Sequence, residues 1–246
     1  MNLVGDPGTT ELGYALLLLG TLLLAIVFAI QTAILSRRLR QREAHGRLME
    51  ELAFFDPLTR LPNRRLLGDR LQHALYASER YNQGTAVYFV DLNSFKEIND
   101  RFGHEVGDSV LAELARRWQA ELRATDTLAR WGGDEFVVVT EGITSIADIQ
   151  SVIARLQHVV DAPMVLNDHE VEITMSLGVA VGCRGMEQPE DLIRCADVAM
   201  YRAKRSGRSD DYEIVGKPAC IERIAGLSVE ADARSASDSE YVRALA

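Results

Sequence analysis

The 246-residue sequence predicts an α+β protein: a mixed, mostly antiparallel sheet flanked by helices, preceded by one N-terminal transmembrane helix. Two observations carry this expectation. The patterns run strand, helix, hairpin, helix, hairpin, helix, which implies an antiparallel-rich sheet with helices packed on it. Ahead of them, residues 12–36 carry no charge; at ~1.5 Å per helical residue they reach roughly 37 Å, more than the ~30 Å hydrocarbon thickness of a bilayer. Composition narrows the classes further. With 47% hydrophobic and 26% charged residues the chain is an ordinary globular sequence, neither disordered throughout nor a polytopic membrane protein. Its 27 Lys+Arg against 36 Asp+Glu give a net charge of −9, which argues against nucleic acid as a partner held by bulk charge. Cys183, Cys195 and Cys220 lie far apart, without the spacing of a metal module or a disulfide framework.

Each element follows in order. Residues 1–11 are a short tail containing Asp6 and Glu11, and residues 12–35 are the expected span, almost entirely aliphatic over 16–30. The cationic cluster Arg37, Arg38, Arg40, Arg42 follows the apolar run, the reverse of a signal peptide. The positive-inside rule then puts the N-terminus outside and the rest in the cytoplasm. Residues 36–55 carry Leu48, Leu52 and Phe55 at helical spacing but no sustained heptad, so they fit either a helix pairing with a second copy or a solvated connector. Asp56-Pro57 and Pro62-Asn63 break the pattern. Residues 85–91 form a strand with a continuous apolar run, as expected where both faces are covered. Residues 108–123 are an amphipathic helix with Val110, Leu111, Leu114, Ala115, Trp118 and Leu122 on one face. Residues 127–131 and 136–140 pair across Gly132-Gly133-Asp134-Glu135. A helix over 145–160, a hairpin of 164–166 and 171–181 around Asn167-Asp168, a helix over 189–205 and a strand over 212–215 complete the series. Residues 216–246 are expected to be a disordered tail, Ala, Ser, Asp and Glu dominating from 227 onward.

Chemistry concentrates at the first hairpin turn. Gly132 and Gly133 remove side-chain bulk, so that a large anionic ligand can approach the backbone, and Asp134 and Glu135 set adjacent carboxylates beside it. Asp91 closes the apolar strand. If that strand neighbours the hairpin, three acids converge. Carboxylates repel phosphate unless a cation intervenes. Mg²⁺ favours a few carboxylates plus substrate phosphate oxygens, which outlines a phosphoryl-transfer site.

The stretch Arg130-Trp131-Gly132-Gly133-Asp134-Glu135-Phe136 resembles the signature of the GGDEF family, the bacterial diguanylate cyclases. Asp56-Pro57-Leu58-Thr59-Arg60-Leu61-Pro62-Asn63-Arg64 is similar to that family's opening motif, with Arg60 in place of the usual Gly. The segment from Asp91 to Asp100, then Phe102-Gly103-His104 and Gly107-Asp108, resembles its metal and nucleotide segment. Ser176-Leu177-Gly178, Ala196-Asp197, Tyr201 to Lys204 and Gly207-Arg208 resemble its closing elements. The motifs cover roughly residues 53–215 in one unbroken order.

The resemblance implies a palm-like, nucleotidyl cyclase-like domain over residues 56–215 that condenses two GTP into cyclic di-GMP and pyrophosphate as a homodimer at the bacterial inner membrane. By position it assigns Mg²⁺ to Asp91, the Leu92 carbonyl, Asp134 and Glu135, and the acceptance of the 3′-hydroxyl proton to Asp134. It assigns substrate contacts to Lys96, Asn99, His104, Asp108, Gly132, Gly133, Lys204 and Arg208. Asn99 and Asp108 match guanine-reading positions. Arg123 and Asp126 match an inhibitory site for the product. A catalytically silent GGDEF-like receptor for GTP or cyclic di-GMP is the alternative, as is another cyclase or palm-type polymerase; intact Asp91, Asp134 and Glu135 favour the cyclase.

Overall fold

The computed structural model describes residues 53–166, 169–182, 188–206, 212–225 and 242–244, with scattered positions between 19 and 38. The chain divides into two units, residues 1–52 and 53–246. In the first, the described positions are helical, and Leu19, Leu24, Phe28 and Leu35 are exposed. Among the described residues no helix is long and apolar enough to cross a membrane, so the described helical positions do not bear out the span expected over 12–35. Most of that span and of the 36–55 connector lies outside the described residues, as do the Asn167-Asp168 turn and Arg208.

The second unit is built around one strand. β1 (Gly84–Asn93) pairs antiparallel with β3 (Glu135–Ile143) on one side and with β6 (Thr174–Gly182) on the other. β2 (Thr127–Gly132) closes the sheet beyond β3, while β7 (Tyr212–Gly216) adds to β6 in parallel. With β8 (Val242–Ala244) the order is β2-β3-β1-β6-β7-β8. The apolar run of β1 is buried on both faces, and the period-2 alternation of a strand sorts its side chains. Ala86, Tyr88, Val90 and Leu92 enter one core with α3 (His104–Glu121) and α4 (Ile146–Asp161). Val87 and Phe89 enter the other with α1 (Arg64–Tyr81) and α5 (Pro189–Ser206). Helix, sheet and helix thus form three layers. The palm-like expectation of a mixed sheet flanked by helices holds.

Local chemistry sets the helix ends. The Asn63 side chain accepts from the N–H groups of Arg65 and Leu66, at 3.0 and 3.2 Å, and starts α1. Ser145 and Asp148 form a reciprocal capping box on α4. Gly103, at φ 89°, ends α2 (Phe95–Phe102) and opens α3 directly behind it, a backbone conformation that glycine adopts without strain. Across the second core, Gly178 lets α5 lie against β6: a Cβ there would stand 2.0 Å from the Met200 nitrogen.

Several elements depart from expectation. α1 and α2 are helices where the sequence patterns predict no element, and α3 begins at His104, four residues before its expected start. The strand expected over 171–181 is two strands. β5 (His169–Val171) pairs only with β4 (Met164–Leu166), and β6 joins the main sheet, because Glu172 and Ile173 carry the chain from one to the other. The tail expected to be disordered over 216–246 holds order at both ends of its length. α6 (Pro218–Ala225) buries Cys220, Ile221 and Ile224 in the first core, and β8 pairs antiparallel with β7. Ile221 and Ile224 at helical spacing supply an apolar face that the composition of the following residues outweighed.

Candidate active site

The antiparallel register brings the acids together. Asp91 stands opposite Glu135 across β1 and β3, and the Leu92 N–H donates to the Asp134 carbonyl at 3.3 Å. The Lys204 ammonium reaches from α5 to the Asp91 carboxylate, Nζ to Oδ1 2.5 Å. Burial raises the Glu135 pKa, and the negative charges of Asp91, Asp197 and Asp134 raise it further, with Lys204 opposing. Negative charge is therefore concentrated where β1 meets the turn, and a cationic side chain already stands on it.

Among the described residues no three His, Cys, Asp or Glu side chains gather closely enough to cage a metal by themselves. Mg²⁺ takes one or two carboxylates and completes its octahedron with water and substrate phosphate. Asp91, Asp134 and a main-chain carbonyl are hard oxygen donors of that kind.

Beside the turn lies a cleft of about 420 Å³, in the range that holds a small-molecule ligand. Lys96 and Asn99 from α2, His104 and Asp108 from α3, and Gly133 and Asp134 from the turn line it together. Helical spacing explains the convergence: Lys96 and Asn99 are three apart, His104 and Asp108 four apart, and each pair shares a face. The two helices touch through Gly107, where a Cβ would stand 1.9 Å from Asn99 Oδ1. Gly107 therefore leaves the Asn99 carboxamide its place.

A residue that the motif reading gave no role organises the turn. Arg130 donates from Nε and Nη2 to the Gly133 carbonyl, at 3.1 and 2.8 Å, and from Nη1 to both Asp56 oxygens, at 3.1 and 3.2 Å. Burial alone would raise the Asp56 pKa. The Thr59 N–H at 2.8 Å, the Thr59 hydroxyl at 2.7 Å and the Arg130 charge outweigh it and hold the carboxyl below its ordinary range. The Arg130 N–H also donates to the Pro62 carbonyl at 3.0 Å. The opening motif and the glycine turn are thus fastened by one guanidinium. The signal was present in the sequence as an Arg two residues before the glycines and an Asp in the opening motif, but only the fold pairs them.

Gly132, Arg123 and Asp126 fall elsewhere, and a fourth expected residue, Arg208, is not among those described. Gly132 lines a second cleft, shared with Asn63, Arg64, Arg65, Arg130 and Gly133. Arg123 and Asp126 lie before β2, whose far end carries the turn, so about five residue steps at ~3.3 Å separate them from it. The Arg123 N–H donates to Asp126 Oδ2 at 2.9 Å, which makes the pair a tight local turn with an exposed Arg.

Residues 53–210 match the profile of the diguanylate cyclase GGDEF domain family. The chain belongs to this family. Its GGDEF segment resembles that of the bifunctional diguanylate cyclase/cyclic di-GMP phosphodiesterase MucR of Pseudomonas aeruginosa, with 38% identity over 79% of this chain and 30% of that protein. Diguanylate cyclase TpbB of the same species is 40% identical over 63% of this chain and 36% of its own length. The response regulator PleD of Caulobacter vibrioides is 38% identical over 69% of this chain and 37% of its own. The chain spans about a third of the length of these curated relatives. Among solved structures, the isolated GGDEF domain of TpbB superposes with a TM-score of 0.60 at 40% identity, covering 63% of this chain and 91% of that one. A microbial GGDEF domain described in an interaction with cyclic di-GMP has a TM-score of 0.57 at 31% identity, covering 69% of this chain and 99% of that one.

Proposed function

We propose that this GGDEF protein is a diguanylate cyclase that condenses two GTP into cyclic di-GMP. The observation that carries this is the register of β1 on β3, which sets Asp91 opposite Glu135 and beside Asp134, at the edge of the cleft that holds Asn99 and Asp108. In each of two steps a 3′-hydroxyl oxygen bonds to an α-phosphorus, the bond to the β-phosphate bridging oxygen breaks, and pyrophosphate leaves. Asp134 accepts the hydroxyl proton. Asp91, the Leu92 carbonyl and Asp134, with Glu135 beside them, would hold magnesium, which would supply the charge neutralisation that lets a triphosphate come near these acids. Asn99 and Asp108 read guanine. A carboxylate accepts from its N1–H and 2-amino group, neither of which adenine offers. His104 supports the base, Gly132 and Gly133 keep side chains away from the phosphates, and Lys96, Lys204 and Arg208 meet phosphate oxygens.

Because the product contains two nucleotides and one cleft holds one, two copies act together and a monomer is inactive. Residues 12–35 anchor the chain in the bacterial inner membrane with the N-terminus outside, a reading supported by the uncharged run and the arginines behind it. Tethering two copies by such a helix raises their effective concentration. Arg123 and Asp126 bind the product and restrain turnover; an Arg123→Ala variant is expected to lose noncompetitive inhibition by cyclic di-GMP, and unchanged inhibition would remove this role.

Incubation of the full chain with GTP and Mg²⁺, with ATP as control, and mass analysis of the products tests the proposal. Cyclic di-GMP and pyrophosphate from GTP alone are expected. GTP bound without turnover would point to a silent receptor, and a cyclic product from ATP to a different cyclase.

A further inference from the structure

The second cleft, about 520 Å³, shares Arg130 and Gly133 with the first and runs to the start of α1. In a chain of net charge −9, it is lined by three arginines, Arg64, Arg65 and Arg130, and by a single acid, Asp56. That carboxylate is already engaged by Arg130. Arg64 and Arg65 are the first two residues of α1, and its first turn holds no acid. Cations there oppose the helix dipole, whose N-terminal end favours Asp and Glu by roughly 0.3–1 kcal/mol each. No acid of the first turn relieves the placement. Arg65 lies over the Phe54 ring, 5.1 Å from its centroid, and the Arg64 side chain is exposed, with no ion pair among the described residues. A helix-end preference broken twice in succession, with only an aromatic face set against Arg65 and no carboxylate in the first turn, is where an anionic ligand supplies the missing charge.

We infer that this cleft binds a polyphosphate anion of the pyrophosphate class. Guanidinium forks match phosphate oxygens two at a time, and several of them along one cleft favour a chain of phosphates over a single carboxylate. The glycine wall is open, since a Cβ at Gly132 or Gly133 would meet nothing within 4 Å. The chemistry is shared by two sources, free pyrophosphate and the triphosphate tail of a guanosine nucleotide; only that pairing rests on the proposed function. The cleft is also wired to the reactive turn. An anion drawn to Arg130 competes with Asp56 for the guanidinium that holds the Gly133 carbonyl.

The test is calorimetric titration of pyrophosphate, and separately of GTP, into the full chain in EDTA, where Asp91, Asp134 and Glu135 are bare carboxylates that repel the anion. Replacing both arginines (Arg64→Ala with Arg65→Ala) is expected to weaken pyrophosphate binding at least ~10-fold, as for the loss of charge-assisted contacts. Replacing both active-site lysines (Lys96→Ala with Lys204→Ala) is expected to change it less than about twofold, as for charges separate from the site. Because both arginines are exposed, the first variant keeps its fold, checked by circular dichroism, and Arg64→Glu provides a second variant that weakens binding in the same direction. Pyrophosphate affinity untouched by the arginine changes, or lost only with the lysines, overturns the inference, as does absence of binding by the unaltered chain. Tighter binding of pyrophosphate than GTP identifies a seat for the free anion, and the reverse a seat for the nucleotide tail. Failure to make cyclic di-GMP would remove the proposed activity and leave this binding curve as it is.

Discussion

Lys204, on α5, holds its ammonium 2.5 Å from an oxygen of Asp91, at the end of β1 and 113 residues away in the chain. The contact could be a strut or part of the reaction site, and exposure separates the two. The Lys204 side chain is 44% exposed, and ion pairs with a partner that open to water are worth at most about 1 kcal/mol. Lys204→Met is therefore expected to change unfolding free energy in urea by less than ~1 kcal/mol while lowering GTP turnover at least ~10-fold, through loss of charge on the phosphates. A large stability loss with turnover intact would make the contact a strut.

Gly107→Ala tests how Asn99 is positioned. The added methyl would occupy the space of the Asn99 amide oxygen, 1.9 Å away, and the flexible side chain is the part that yields. GTP affinity is expected to fall roughly 10-fold, the equivalent of one or two lost hydrogen bonds. In an Asn99→Ala background the same glycine change is expected to have almost no further effect on affinity. Additive losses in a GTP-binding cycle would contradict the assignment.

Asp134→Ala removes the proposed metal ligand and the proposed proton acceptor together. Turnover of GTP is expected to fall by at least ~10², the usual contribution of general-base catalysis. The melting temperature should stay close to that of the unaltered chain, since the side chain lies at a turn outside both cores.

Asp56 links pH to the geometry of the glycine turn. Its folded pKa lies below the ordinary 3.8, so it contributes stability above that value, and the contribution is lost as pH falls through the folded pKa. Asp56→Asn is expected to destabilise the protein at neutral pH and to flatten the decline in stability below about pH 4, read from urea midpoints across pH. Parallel pH profiles for the two proteins would show that Asp56 does not titrate with folding.

Much of this was legible in the sequence, for identifiable reasons. The apolar run of β1, the glycine hairpin and the apolar faces of α3 and α4 each follow from a local period, and each is present. Lys96, Asn99, His104, Asp108, Gly133 and Asp134 do share one cleft, because motif order reflects helix and turn positions that the fold preserves. What local patterns could not show was pairing at a distance. Asp56 and Arg130 lie 74 residues apart, and nothing in either segment announces the other. α2 was hidden by brevity, with Ile98 its one buried residue. The α6 helix was hidden by the polar composition downstream of it.

The Arg130 guanidinium has a mechanical consequence. Asn63 donates its amide to the Ala53 carbonyl at 3.0 Å, and its main-chain N–H bonds the Phe54 carbonyl at 2.9 Å. Pro62 and Asp56 are in turn held by Arg130, which grips Gly133. From Ala53, where the domain begins, to the glycine hairpin there thus runs a continuous row of hydrogen bonds, a path along which a twist of the entering chain can be felt at the turn.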